Sequence, residues 1–405
     1  MEFGVSRDSG SFEWAGTSLG AVFCQPRNIL SLRMWRMLFD IVRFNQFALD
    51  ILINGVEEGV QTIGQYLERN SYSDAFRDDY LIPVTAAIWS TGPNTCIDEF
   101  PLLTLVRFFW NHHLLSTVAV RPDWLTLKEG SKSYIDAVMK DFPADRVFLN
   151  SAVRKVIGDK NGRVTLHFDA DKSDTFDHVI LATHGDQALS LLGDAATDEE
   201  TAVLSNFKTS QNEAVLHSDL THMPRNRKAW SSWNYMTLSA NAKSDADQVS
   251  LTYNMNILQH IPRKQFGDVL VTLNPLHPPN DALTQGRFKY SHPIYTPEAV
   301  RAQELLSGIQ NRRGISYAGA WTKYGFHEDG FSSGLQVAQD HLGAKLPFEF
   351  VDSTSSRGKA PKLGLADYAL RFFIILIQVC IVRVIETLAG VKRRTTKPAM
   401  KLKQG

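Results

Sequence analysis

The sequence predicts an α/β fold of two structural units followed by a C-terminal hydrophobic helix, and three observations predict it. Residues 30–120 carry apolar side chains at helical spacing, residues 146–183 carry short alternating runs around an Asn-Gly turn, and residues 314–334 read as a strand, a glycine-punctuated loop and the start of a helix. A chain of 405 residues with 43% hydrophobic residues buries a large core, and its length favours two structural units over one. Lys plus Arg and Asp plus Glu each number 43, so the net charge is zero and no basic footprint for nucleic acid is expected. Cys24, Cys96 and Cys380 are far apart and form no C-x-x-C, which argues against a disulfide framework or a zinc site and favours a reducing compartment. The first twenty residues hold Glu2, Arg7, Asp8 and Glu13 with no apolar run, which argues against a secretory signal and against an apolar first strand.

Between Arg33 and Ile53, apolar residues recur at Met34, Met37, Leu38, Ile41, Phe44, Ala48, Ile51 and Leu52, an amphipathic helix with Arg36 and Asp40 as an i,i+4 pair on its other face. Helices follow over Thr62–Glu68, Ser73–Ala87 and Phe100–Leu115, punctuated by Pro83, Pro93 and Pro101. A glycine turn at Gly130 leads into a short helix through Tyr134. Strands are then predicted at Arg146–Asn150, Ala152–Ile157, Arg163–Phe168 and Phe176–Thr183, with Lys160-Asn-Gly162 as a hairpin turn. A β-rich insert supplies strand candidates at Ala214–His217, Lys228–Tyr235, Gln248–Met255 and Val269–Leu273. Proline-rich sequence from Asn274 to Pro297 leads to a helix over Pro297–Gln310. Beyond Pro347 come a polar linker, an apolar stretch over Tyr368–Leu388, and six basic residues with no acid between Lys392 and Lys403.

The glycine loop carries the chemistry. A helix starting near Asp329 presents unsatisfied N–H groups and its positive dipole end, which suits an electron-poor ring that gains negative charge on reduction. Gly319 and Gly325 let the backbone approach a ligand closely. An ordinary capped helix after a glycine loop fits the same residues. Across the chain no two glycines are spaced G-x-G, so the G-x-G-x-x-G dinucleotide fingerprint is missing.

From about Ser6 to Leu346 the chain resembles predicted NAD/FAD-binding proteins of the flavin-containing amine oxidase superfamily. The matching runs include Ser6-Arg-Asp, Phe12-Glu-Trp-Ala-Gly, Tyr72-Ser-Asp-Ala-Phe-Arg-Asp-Asp-Tyr, Ala86-Ala-Ile-Trp-Ser-Thr, Asn111-His-His-Leu-Leu, Arg227-Lys-Ala-Trp-Ser-Ser-Trp-Asn-Tyr and Gly319-Ala-Trp-Thr-Lys-Tyr-Gly-Phe-His-Glu-Asp-Gly. The resemblance implies an incomplete Rossmann-like FAD-binding domain beside a mixed α+β substrate domain. It implies that Val153 meets the adenine, that Thr183 ends a strand passing the diphosphate, that Gly319 closes the last cofactor strand, and that Glu328, Asp329 and Gly330 meet the flavin pyrimidine. Gly130 to Tyr134 matches the return from substrate domain to flavin domain. It also implies about seventy residues ahead of Ser6, holding a first β-α-β unit with its ribose-binding acid. These are missing from the sequence, so a truncated chain is expected, whether from its gene model, a split reading frame or decay.

The implied domains are 1–125, a mainly helical substrate-domain part; 126–195, the middle FAD segment; 196–300, a β-rich substrate part; 301–347, the last FAD segment; 348–365, a linker; and 366–405, the hydrophobic helix and basic tail. No histidine falls into H-E-x-x-H and no metal is expected. No G-x-S-x-G elbow occurs, so serine hydrolysis has no support. Trp230, Trp233, Tyr235, Trp321 and Tyr324 wall a substrate cavity or, for each singly, pack in the core. The three cysteines lie outside the cofactor segments, so FAD is expected to be held non-covalently. The expected reaction is hydride transfer at flavin N5 on an amine or lipid/acyl substrate, with the catalytic residues left open. The rival is a catalytically inactive remnant acting as a membrane-associated interaction or structural protein. Residues 368–388, interrupted by Arg371, Arg383 and Glu386, are expected to attach to a membrane with the basic tail, either spanning or lying in the interface, which places the protein at the cytoplasmic face of a membrane or in the cytoplasm. A docked core helix is the alternative.

Overall fold

The computed structural model describes residues 3–56, 61–116, 122–169, 172–238, 250–352, 354, 357–358 and 360–388. Twelve strands form among the described residues: β1 Phe3–Arg7, β2 Phe12–Ala15, β3 Val153–Gly158, β4 Val164–Phe168, β5 Ser173–Phe176, β6 Val179–Leu181, β7 Lys208–His217, β8 Trp233–Thr237, β9 Ser250–Asn254, β10 Leu270–Leu273, β11 Thr284–Ile294 and β12 Ile315–Tyr317. Seven of them make one sheet in the order β11-β7-β10-β9-β8-β1-β2. Every pairing in it is antiparallel except β1 with β8.

Helices Leu32–Phe47, Leu49–Asn54, Ile63–Arg69, Ile82–Trp89 and Leu102–Asn111 share a core with this sheet. Met34, Met37, Phe44, Phe76, Phe100 and Phe109 from the helical side are buried there with Tyr235, Leu251 and Leu273 from the strands. Local chemistry sets the helix starts. The Ser31 hydroxyl accepts from the Met34 N–H at 3.3 Å, and Thr62 with Gln65 forms a reciprocal capping box. The Arg36–Asp40 pair forms at 2.9 Å, but Asp40 is fully buried instead of facing solvent. It is tolerated there because Arg43 at 3.4 Å and the Ser73 N–H at 2.9 Å complete its shell.

A second core gathers Val156, Val164, Leu181, Leu192, Leu204, Ile315, Tyr317 and Trp321. Here β3-β4-β5 form an antiparallel sheet, and β6 pairs with β12 in parallel, Leu181 facing Tyr317. The β3–β4 turn follows the expected chemistry: Asp159 Oδ1 accepts from the N–H groups of Asn161 and Arg163, each at 2.8 Å, and Gly162 takes φ +81°. Glu200 is buried beneath this core, accepting from the Tyr317 hydroxyl at 2.9 Å and from Arg313.

Three expectations fail for physical reasons. Arg146–Asn150 is not a strand: Ala144–Arg146 is a short 3-10 turn, and Phe148 and Leu149 remain exposed because no neighbouring strand pairs with them. The polar N-terminus does begin in a strand, β1, whose Val5 and Ser6 are buried between β8 and β2. The proline-rich stretch contains the eleven-residue β11, an edge strand whose exposed Phe288 and Tyr290 give no alternation to read. Gln248 and Val249 of the third insert strand, and the basic run 392–403, lie outside the described residues.

At the end of β7 two buried imidazoles, His217 and His222, line up with the exposed His277. His217 bonds to the Thr272 hydroxyl at 2.6 Å, and the ring of His222 lies 5.0 Å from that of His217 and 4.2 Å from that of His277. Burial, then His277 and His217, hold His222 down at about 4, against the nearby Asp219. The unfolded chain therefore takes up a proton as pH falls through 6.5 that the fold refuses until about pH 4, so stability is lost across that window and this loss levels off below it. Chemical denaturation at about pH 7.5 and about pH 4.5 should show the wild type losing about 2–3 kcal/mol more than His222→Gln.

Candidate functional site

The chain leaves β12 through Gly319, and this residue organises the turn beyond the strand. Its φ is +149°, and a Cβ there would fall 2.4 Å from Trp321 Nε1 and 3.2 Å from the Thr183 carbonyl oxygen. The space is closed because the Trp321 indole donates to that same carbonyl at 2.8 Å, tying the end of β6 to the end of β12. The Gly319 N–H donates to the Ser333 hydroxyl at 2.8 Å, and the hydroxyl in turn donates to the Gly330 carbonyl at 2.7 Å. A short 3-10 turn over Ala320–Thr322 comes next. Gly325, at φ +92°, then passes the Tyr295 hydroxyl, which a Cβ would meet at 2.8 Å.

The helix His327–Leu342 starts two residues earlier than its sequence suggests. Asp329 is buried and accepts from the Phe326 N–H at 2.9 Å, closing the first turn. Burial pushes its carboxyl up, partly offset by the Phe326 N–H and Lys323. Burial, and then the Asp329 carboxylate, push the Tyr295 phenol up, and its hydroxyl has no hydrogen-bond partner among the described residues. By helix geometry the N–H groups of His327, Glu328 and Asp329 have no intrahelical acceptor.

Beside this helix start lies a cavity of about 390 Å³, walled by Ile135, Val138 and Met139 on one side and Phe326 and Phe331 on the other, with Gly325 and Gly330 between. Tyr134 and His327 mark its polar edge, joined by a hydrogen bond from the tyrosine hydroxyl region to Nδ1 at 2.8 Å. The two apolar walls come from residues almost two hundred positions apart. Only the period of Ile135, Val138 and Met139 on the Lys132–Met139 helix, a face with nothing to cover it, signalled this wall in the sequence.

The residues expected to hold a cofactor divide. Thr183, Gly319, Asp329 and Gly330 converge on the turn, and Gly330 lines the cavity. Glu328 is adjacent but exposed, its carboxylate accepting from Ser332 at 3.0 Å. Val153 sits half-buried on β3 against the second core, outside the cavity lining. The glycine requirement at Gly319 and Gly325 comes from protein neighbours, Trp321 and Tyr295. Trp230, Trp233, Tyr235, Trp321 and Tyr324 do not line this cavity: Trp321 packs 4.4 Å from Phe207, and the Trp230 indole donates to the Pro224 carbonyl. No group of three or more His, Cys, Asp or Glu able to hold a metal occurs among the described residues.

Residues 67–218 match the family model of the flavin containing amine oxidoreductases. That match spans less than half of the chain. Its fold is similar to the CLA-producing fatty acid isomerase from P. acnes, at 13% identity and a TM-score of 0.54, with 84% of this chain and 80% of that chain covered. A triple variant of putrescine oxidase with redesigned cofactor binding is similar at 12% identity and a TM-score of 0.53, covering 84% and 81%. No curated protein matches the sequence. The description of the matched family names a flavin, and beside the turn an apolar cavity between Phe326 and the Lys132–Met139 helix meets the open end of a sixteen-residue helix, where N–H groups suit a group carrying negative charge.

Gly319→Ala should cost at least ~3 kcal/mol, because it adds both a forbidden backbone angle and a collision with Trp321; thermal or urea unfolding measures it. Asp329→Ala should cost about 1 kcal/mol through the lost cap, whereas Asp329→Asn keeps an acceptor for Phe326 without a buried charge and should stay near wild type.

Proposed function

We propose that the chain is an FAD-dependent oxidoreductase of the amine oxidase type that holds its flavin non-covalently in the Gly319–Phe331 turn and acts on an amine or a lipid/acyl substrate. The observation that carries the reading is the apolar cavity set against the N-terminus of the His327–Leu342 helix. When bound, the flavin supplies the redox chemistry, exchanging a hydride with a substrate carbon at N5. The protein's part is placement. Amides of His327, Glu328 and Asp329 stabilise charge at the ring edge, Phe326 and Phe331 exclude water from its face, and Ala320 and Gly330 leave room for close approach. Tyr134 and His327 form a hydrogen-bonded pair at the edge, able to hold a proton at His327 Nδ1 or the Tyr134 oxygen. The free cysteines fit non-covalent binding, since Cys24 and Cys96 are buried and none lines the cavity.

Relatives by fold include a fatty acid isomerase and a putrescine oxidase, so both substrate classes have precedent on this scaffold. The C-terminal helix supports association with a membrane, and the six basic residues between Lys392 and Lys403 favour its cytoplasmic face. Leu365–Ile385 is 21 residues long with a mean hydropathy of 2.2, and only 17% of its most apolar window is buried.

A second reading, an inactive membrane-associated remnant, is favoured by one feature. The parallel pairing beside the turn consists of β6 and β12 alone among the described residues, and none of the 405 residues forms the G-x-G that cradles a diphosphate in other nucleotide folds.

Visible spectra of the purified full chain separate the two. The oxidised-flavin bands, bleached by dithionite and released as FAD at one per chain on heat denaturation, are expected; a colourless protein that takes up no added FAD favours the remnant. Gly330→Leu, which fills the slot from an ordinary helical position, should lower FAD affinity at least ~tenfold while leaving the melting temperature close to wild type.

A further inference from the structure

A second cavity, of about 560 Å³, lies between the body and the C-terminal helix. Its lining divides by chemistry. Phe47, Ile51, Leu102, Ile374 and Val379 are apolar, whereas Arg43, Arg69 and Arg383 bring three cations. Asp50, the one acid in the lining among the described residues, is already engaged by Arg371 at 2.8 Å. Arg43 is fixed in place: its guanidinium lies 4.2 Å from the Tyr72 ring centre, 3.4 Å from Asp40, and donates to the Asn70 carbonyl. Gln378 reaches the cavity from the helix, and its Oε1 is buried with no hydrogen-bond partner among the described residues. A buried amide oxygen is costly to leave unmatched, so a donor belongs beside it, either a headgroup hydroxyl or a water carried in with the head.

The other side of the same helix is apolar and exposed at Phe372, Phe373, Ile381 and Val384. One helix thus supplies both a cavity wall and a surface suited to a bilayer. The volume is in the range of ~300–1,000 Å³ that holds one small ligand, enough for a headgroup and part of one chain.

We propose that this cavity binds an anionic lipid. The phosphate or carboxylate head sits among Arg43, Arg69 and Arg383, the first part of an alkyl chain runs along Ile51, Leu102 and Val379, and the remainder follows the exposed face of the helix into the membrane. Arginine suits this head because its fork of donors matches a carboxylate or phosphate. The site is separate from the glycine turn and requires neither flavin nor turnover.

The test uses the full chain in a neutral detergent, titrated with a dansyl-labelled long-chain fatty acid and with its methyl ester. The acid is expected to bind saturably at one per chain and the ester at least ~tenfold more weakly; Arg69→Gln with Arg383→Gln should weaken the acid about tenfold. Val379→Trp, on an exposed helical position, should block both ligands without lowering the melting temperature. Native mass spectrometry of protein taken from mixed phosphatidylglycerol and phosphatidylcholine vesicles then distinguishes the source. One retained phosphatidylglycerol points to a bilayer lipid, and retention of added oleate alone points to a free acid. Equal affinity for acid and ester, non-saturable binding, or binding that survives Val379→Trp overturns the proposal. Residues 392–403 are the same in every variant, so an anion preference arising there would survive the substitutions and count against the cavity.

Discussion

The fold around the candidate site depends on one packed turn. At Gly319 the backbone carries β12 away from its partner β6 while Trp321 folds back to bond the Thr183 carbonyl, and no side chain fits between them. Because Ser333 accepts from the Gly319 amide and donates to the Gly330 carbonyl, the same hydroxyl fixes the His327–Leu342 helix against the strand that precedes it. Strand end, turn and helix start are therefore one rigid object. Such rigidity is what a ring-binding slot requires, since dipoles that must reorient on charging stabilise less than dipoles already in place.

That object is also clamped between the two cores. The Trp89 indole donates to the Tyr324 carbonyl at 3.0 Å, Phe326 stacks on Phe108 at 5.2 Å, and Tyr295 lies 6.0 Å from Phe100. Each aromatic pair contributes about 0.5–1.5 kcal/mol beyond its buried area, so the loop from Tyr324 to Phe326 is held by the helical core even though the chain reaches it from the other one. His112 belongs to this stack, 3.8 Å from Phe108, and burial pulls its imidazole down, partly offset by the Phe108 carbonyl. The cavity wall at Phe326 thus inherits its position from residues 89–112. Those residues contribute no side chain to the cavity lining itself.

Much of this was legible in the chain, and the exceptions have a common cause. The Asn-Gly hairpin, the strand–glycine loop–helix unit and the mainly helical stretch over residues 30–120 all rest on local rules of turn chemistry and periodicity, and all three form among the described residues. What local rules missed depends on distant partners. β1 looks polar because its buried residues include Ser6, whose hydroxyl is satisfied by buried Glu13 at 2.8 Å. β11 reads as a proline-rich connection because its sheet partner among the described residues, β7, lies some seventy residues away. Arg146–Asn150 has the composition of a strand and no edge to join. At the site, the glycines were readable but their reason was not: the sequence suggests space for a ligand, whereas Trp321 and Tyr295 occupy it.

The C-terminal helix obeys a different balance from the rest of the molecule. The helices of the first core dock through apolar faces, but here the latch is polar: Arg371 bonds Asp50 and the Gln46 carbonyl, and Ile374 is the helix's one buried side chain among the described residues. Apolar burial scales with area removed from water, so a helix that buries a single isoleucine gains little from docking in solution and keeps its hydrophobic surface exposed. A charged latch with few apolar contacts fixes register and direction more than it adds stability. Covering the outer face with hydrocarbon removes the remaining cost without disturbing that latch. The same polar docking leaves the helix standing off the body, which is why a cavity of about 560 Å³ persists where close-packed side chains would otherwise meet.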